Sequence, residues 1–410
     1  MSRLRPLPSA GSEEYRRLVE RRPTAPDVET SVRQILADVR SRGDAAVIEL
    51  TERFDHVRLS TTRVDPGDCR AALARLESPV REALVEMARR IELVHQAQQF
   101  HEQAVVVRPG IRVWREWRPF RRVGVYAPGG RTVYPSSVLM MAIPARLAGC
   151  QEIVLCCPPQ SNGRVASVIL AAAALAGVTE VHAVGGAQAI AALAYGTKMI
   201  QRVDMIAGPG NAYVTAAKLA VFGEVAIDLP AGPSEVVVIS DGSVDARWLN
   251  ADLQAQVEHS PDAAAILLTT TESDGVALQE TADSQVNGFL VTSLEVAIDF
   301  ANAYAPEHLA LACAAPERYL ARVTSAGSIF LGPYAGPAAG DYATGASHVL
   351  PTGGSARSFG PLGVERFGRP VQVQQVDAAA VASLAEVTDV LAEIEKLPHH
   401  GRSVRIRSQR

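Results

Sequence analysis

From Val28 to Phe54, and again from Val80 to Phe100, apolar residues recur three and four positions apart with charges between them. That period places them on one helical face and predicts that most of the first hundred residues are amphipathic helix. Ahead of them, residues 1–24 carry a Glu/Arg-rich helical pattern that ends at RRPTAPD, where two prolines and Asp27 make a break and an N-cap. From about Val123 the texture changes to short β-branched runs (EIVLCC, EVHAVG, DMIAG, EVVVIS, AAAILLTT) separated by Ala-rich helical stretches. Runs this apolar suit strands buried on both faces, so the pattern predicts doubly wound α/β layers with parallel sheets.

Such sheets bind ligands in loops at strand ends, and three small-residue loops stand in the right places: YAPGGRT, GGAQAI and AGPGNAYV. None is a dinucleotide fingerprint, because the run from Gly208 to Tyr213 lacks the third glycine of GxGxxG, and no GxxxxGK[ST] phosphate loop occurs. The segment GIRVWREWRPFRRVGVY mixes basic and apolar residues and reads as a strand with one solvated face, its arginines guarding a sheet edge. Past Arg369 the chain is polar and aliphatic, with a helix between Asp377 and Leu397. That length is too small for a core of its own and reads as an arm that docks on something else. No internal repeat is visible.

Composition narrows the classes. The chain has 410 residues, 48% hydrophobic and 20% charged, with a formal net charge of −4. No global positive field exists to hold nucleic acid or an acidic membrane. Its longest apolar stretch, VASVILAAAALAGV, falls short of the roughly 18 to 20 residues that span a bilayer and reads as a buried helix. The N-terminus has no apolar core of the kind a signal peptide needs, so a cytoplasmic location is expected. Lysines are scarce (Lys198, Lys218, Lys396), which leaves little room for Schiff-base chemistry. The five cysteines lack structural-zinc spacing and read as small buried hydrophobes in a reducing compartment.

Three segments concentrate groups that can do chemistry. In ADLQAQVEHSPDA, Gln256 and His259 lie three apart near a helix end, where they form either half of a metal site or a surface pair. In NAYAPEHLAL, Glu307 and His308 follow Pro306 at the turn into a new element. They read as a carboxylate that activates water beside a general base, or as a helix start with Glu307 favouring the dipole. In GPYAGPAAGDYATGASHVLPTGGSARSFG, Asp341 and His348 sit in a long, small-residue stretch; Asp341 reads as a ligand or an N-cap, and His348 as a substrate contact.

Taken together, VGVYAPGGRTVYPSSVLMMAIPARLAGC, GGAQAIAALAYGT, AGPGNAYVTAAKLAVFGEVAIDLPAGPSEVVVIS, QVEHSPDA, APEHLAL, GDYATGASHVLPTGG and a late EKLPHH resemble, in one order, successive blocks of the histidinol dehydrogenases. The resemblance runs from about Val28 to Arg407. It implies two Rossmann-like parallel-sheet domains without GxGxxG, plus small helical arms: residues 1–24 as the first arm, 25–125 with 234–368 as one α/β domain, 126–233 as the other, and 369–410 as a dimerisation arm. The activity implied is zinc-dependent, NAD-linked oxidation of L-histidinol through L-histidinal to L-histidine, by a homodimer whose sites are completed by the partner's arm.

By block, the resemblance implies Gln256, His259, Asp341 and His400 as zinc ligands, with His399 a rival for the last. Glu307 and His308 are implied as the catalytic pair and Ser234, His348 and Glu395 as substrate contacts, together with the metal ligands and His308. Tyr126, Gln188 and Asn211 are implied as NAD contacts. Departures from the family pattern cluster near the site: Gly336-Pro337 for a usual Pro-Glu, Ser347 for a usual Asn, RSFGPLGVERF around Gly360 to Gly363, and a short connection from Glu272 to Gly288. They keep open an alternative, a related zinc and NAD dehydrogenase of another small polar primary alcohol such as a sulfonated diol.

Overall fold

The structure, a computed structural model, describes residues 4–20, 26–129, 132–278 and 285–409. Gly130 and Arg131 of the YAPGGRT loop, the RRPTA break and residues 279–284 of the Glu272 to Gly288 connection lie outside the described residues. Two compact units are present, one of residues 1–98 with 120–367 and one of residues 99–119 with 368–410.

The larger unit holds both parallel sheets. In the first, the order is Arg5–Pro6, Val286–Leu290, Ala264–Thr269, Glu235–Ser240, His308–Ala312, Ser328–Leu331, every neighbouring pair parallel. In the second it is Glu180–Ala183, Glu152–Cys157, Arg122–Tyr126, Met205–Ala207, Ala226–Ile227, again all parallel. The strands Glu235–Ser240 and Arg122–Tyr126 are buried at every residue, as their unbroken apolar runs require. Leaving aside Arg5–Pro6, both sheets run third, second, first, fourth, fifth in chain order, so each has its switch point beside its first strand. The duplication is one of topology alone, since apolar runs of many compositions satisfy the same layer.

The N-terminal helical run is two helices, Pro26–Arg42 and Asp44–Asp55, because Gly43 takes a positive φ of 58° between them. Val32, Leu36, Val39, Val47 and Leu50 from these helices share one buried cluster with Ile190, Leu193, Val214 and Val221 of the second sheet's helices. The arm before them ends in the helix Glu13–Val19, capped by Ser12, and Tyr15 meets Phe300 edge to face at 5.5 Å on the first sheet's side. Ser167–Ala176 is the buried Ala-rich helix expected of VASVILAAAALAGV. Among the described residues no helix is long and apolar enough to cross a membrane.

The smaller unit corrects one expectation. GIRVWREWRPFRRVGVY is two strands, and the first, Ile111–Pro119, is no edge: it lies between Gly368–Val376 and Val105–Arg108 in a three-stranded antiparallel sheet. Its arginines therefore project from a central strand rather than guard an edge. The tail continues into the helices Ala382–Ile394 and Pro398–Ser408, joined by an ion pair between Arg405 and Asp389. Val387, Val390, Leu391 and Ile394, at helical spacing, are left exposed.

Candidate active site

His308 opens the strand His308–Ala312, and Glu307 precedes it, so the turn after Pro306 leads into a strand and not into the alternative helix start. Both are buried, at 2% and 5% exposure. The strand lies between Glu235–Ser240 and Ser328–Leu331. The pair thus stands at the amino edge of the sheet, whereas the general rule for α/β folds points to the carboxyl edge.

The peptide of Glu235 organises the pair. Its N–H donates to Glu307 Oε2 at 2.9 Å, and its carbonyl accepts from His308 Nδ1 at 3.3 Å. A carbonyl only accepts, so Nδ1 carries a proton and the neutral imidazole presents its lone pair at Nε2. That Nε2 faces Asp341 Oδ1 at 3.3 Å, and Nδ1 lies 3.6 Å from Glu307 Oε2. Burial opposes the imidazolium, but Glu307 and Asp341 outweigh it and hold the His308 pKa above its ordinary value. Burial also pushes the Glu307 carboxyl up, against the pull of His308, the Glu235 N–H and the Ser234 hydroxyl.

Asp341 lies in a short helix, Pro337–Tyr342, and is not an N-cap. Burial disfavours its charge, but His308 and then His348 and His259 hold its pKa below the usual carboxylate range. Its carbonyl also accepts from His348 Nδ1 at 2.9 Å, and His348 Nε2 meets the Ser137 hydroxyl at 3.1 Å. With Nδ1 donating, Nε2 takes the Ser137 proton, an arrangement of a neutral imidazole; burial lowers the pKa of His348 in keeping with it.

Gln256 lies at the end of the helix Ala246–Val257, 3% exposed, with its Nε2 unpartnered. His259 follows the helix and points Nδ1 at the Gln256 carbonyl at 3.2 Å, which makes Nδ1 the donor and leaves Nε2 open. Among the described residues, no three His, Cys, Asp or Glu side chains stand together as a ready metal cage. Glu395 and His400 belong to the smaller unit, at the end of one tail helix and near the start of the next.

The other predicted residues gather at the carboxyl edge of the second sheet. Tyr126 ends the strand Arg122–Tyr126, is buried, and accepts from the Gly186 N–H at 3.1 Å; burial raises its pKa. Gln188, in the first turn of Gly186–Tyr195, is 1% exposed with both amide atoms unpartnered. Asn211 caps Ala212–Val221, accepting from the N–H groups of Tyr213 and Val214 at 3.1 Å. Between these loops Gly208 takes a φ of 134°, where a Cβ would collide with the Tyr126 carbonyl oxygen. Its peptide is held from both sides, by Asp228 Oδ2 on the N–H at 2.7 Å and Lys218 Nζ on the carbonyl at 2.9 Å. Lys218 and Asp228 also pair as ions in the interior, so this lysine is structural.

Sequence reasoning missed Glu235 and Ser137. A carboxylate opening an otherwise apolar run, in PSEVVVIS, was the available signal for the first; Ser137 carries none.

Two parallel sheets of like topology, one with a buried carboxylate and imidazole and a half-buried second carboxylate at its amino edge and one with small-residue loops at its carboxyl edge, define an α/β enzyme built for acid–base chemistry. The histidinol dehydrogenase family profile matches residues 19–408. Over 96% of the chain it is 43% identical to the histidinol dehydrogenase of Methanothermobacter thermautotrophicus, covering 97% of that protein. It is 44% identical to that of Parasynechococcus marenigrum over 96% of this chain and 94% of the relative. The crystal structure of histidinol dehydrogenase from Elizabethkingia anophelis superposes with a TM-score of 0.93 at 37% identity, covering 99% of this chain and 98% of that one. The chain belongs to the histidinol dehydrogenase family and is an oxidoreductase.

Proposed function

We propose that this enzyme oxidises L-histidinol through L-histidinal to L-histidine, with zinc bound and NAD as hydride acceptor, as a cytoplasmic homodimer in histidine biosynthesis. The observation that carries the reading is the family match along nearly the whole chain, with Glu307 and His308 intact and buried on one sheet edge.

The residues fit a zinc ion. An amide oxygen, two imidazoles and a carboxylate without thiolate suit Zn²⁺. His259 has its Nδ1–H fixed by a backbone carbonyl, the support that ligating histidines use, and Gln256 stands buried three residues before it. Gln256, His259, Asp341 and His400 would hold the ion, which when bound supplies a fixed positive centre that orients the substrate. The loops fit NAD through the two unpartnered amide atoms of Gln188, with Tyr126 and Asn211 beside it in the other loops; bound NAD supplies the acceptor for hydride.

His308 then takes the proton of the alcohol on Nε2, the nitrogen that does not bond the Glu235 carbonyl and that faces Asp341. A cation held by Asp341 would offset the charge that favours the protonated imidazole, so that His308 would be neutral, the form a base needs. Glu307 activates the water that hydrates the aldehyde, and Ser234, His348 and Glu395 hold the substrate. The exposed stripe of Val387, Val390, Leu391 and Ile394 supports a tail that docks on a second copy.

The experiment is to count NADH per L-histidinol with and without a chelator. Two NADH, lost on chelation and restored by zinc, are expected. No NADH from zinc-loaded protein would overturn this substrate and turn attention to other small polar alcohols.

A further inference from the structure

We propose that Glu235 is the positioning residue of this site, a single buried acid whose peptide and carboxylate together hold the two chain segments that carry the Glu307–His308 pair and His348. The inference rests on the function proposed above.

Glu235 is 4% exposed at the start of the central strand. Its N–H and carbonyl hold the Glu307 carboxylate and the His308 ring, as described. Its side chain holds the segments behind them. Oε1 accepts from the Gly353 N–H at 3.1 Å, five residues beyond His348. Oε2 accepts from the Tyr304 hydroxyl at 3.4 Å, three residues before Glu307. Between Tyr304 and Glu307 the chain turns through Ala305, whose φ of 52° is a conformation that a residue with a Cβ adopts only under constraint. The Tyr304 contact lies next to that strained turn and keeps its entry fixed.

The Gly353 N–H and the Tyr304 hydroxyl are both donors here, so residue 235 must offer an acceptor to each. A carboxylate does this; an amide turns its NH₂ against one of the two donors. The charge has a second effect, because Glu235 repels a negative Glu307 and favours its neutral form. The groups facing Glu307 are Glu235, at the start of the neighbouring strand, Ser234 just before it, and the adjacent His308, with Asp341 on the far side of the His308 ring. A packing residue would need neither two acceptors nor a charge.

The test uses full-length zinc-loaded protein with Glu235→Gln, Glu235→Asp and Tyr304→Phe, following NADH from histidinol and from histidinal across pH, with thermal unfolding as the check on folding. In Glu235→Gln, kcat is expected to fall by about 10- to 100-fold with KM for histidinol changed less than about threefold, the loss of orientation rather than of binding. The acidic limb of histidinal oxidation should also move to lower pH, since the neutral amide no longer repels the Glu307 charge. Tyr304→Phe, which keeps the charge, should lower kcat and leave that limb in place, and Glu235→Asp should do the same. Wild-type kcat and an unmoved limb in folded Glu235→Gln would overturn the inference. Should that variant not fold, an unaltered kcat in both other variants would overturn it. A wild-type protein that gives no NADH from histidinol defeats the functional reading instead, and the two failures are told apart by that first control.

Discussion

His308 Nε2 and Asp341 Oδ1 stand 3.3 Å apart, and the same aspartate uses its backbone carbonyl to orient His348. One residue of a short helix thus faces both imidazoles, while the Glu235 peptide fixes His308 from behind. Base, proposed ligand and substrate contact are therefore linked through few atoms, but their duties separate by chemistry.

That separation predicts opposite phenotypes. Asp341→Ala should lower bound zinc, measured by metal analysis of the purified variant. His308→Asn should keep its zinc and lose about 10²- to 10⁴-fold in turnover, the contribution of a general base. Full zinc in the first variant, or wild-type turnover in the second, would contradict the assignment.

Gly208 has no room for a side chain, and its peptide is gripped by Asp228 and Lys218. Gly208→Ala must displace either the Tyr126 carbonyl or that grip. Holding a non-glycine residue in such a conformation costs about 1–3 kcal/mol, so the variant should unfold at lower temperature. Its affinity for NADH, followed by fluorescence titration, should drop with bound zinc unchanged, because none of the proposed metal ligands belongs to the loops around Gly208.

His182 predicts the acid side of the stability profile. It is fully buried, with Nδ1 at 2.9 Å from the Thr62 hydroxyl and Nε2 at 2.8 Å from Glu180 Oε1. Burial lowers its pKa and outweighs the pull of Glu180. The unfolded chain takes up a proton near the ordinary histidine pKa of about 6.5 and the folded chain does not, so this contribution is complete above that pH and is lost as pH falls below it. Thermal unfolding between pH 7.5 and 5.5 should show the decline, and His182→Gln should flatten it even though the variant is less stable at pH 7.5. An identical slope in the variant would exclude His182 as a source.

The parallel layers were legible because runs such as EVVVIS and EIVLCC have few other uses, and Glu307 with His308 stood out because a carboxylate and an imidazole follow Pro306 at a turn into a new element. The amino-edge location was not legible: it depends on which end of the sheet the helix carrying Gln256 returns to and on where the chain after Leu331 brings Asp341. Ile111–Pro119 reads as an edge until its partner, Gly368–Val376, arrives some 250 residues later in the chain. Glu235 was hidden for a similar reason, since Tyr304 and Gly353, which give its carboxylate a purpose, are distant in sequence.

The tail offers the most decisive test of the proposed homodimer. In EKLPHH the family pattern places the ligand five residues after Glu395, so His400→Ala should lose zinc and activity while His399→Ala keeps both. His400→Ala and His308→Asn would then each be inactive for different reasons. If a tail completes the site of the other copy, a mixed dimer contains one site with an intact core and an intact tail, and one site with neither. Random mixing of equal amounts makes half of the dimers mixed, and about one quarter of wild-type activity should return on co-expression. If each tail serves its own core, every site keeps one defect and no activity returns. Recovery near one quarter would establish exchanged tails, and its absence, in variants that still form mixed dimers by tag pull-down, would refute them.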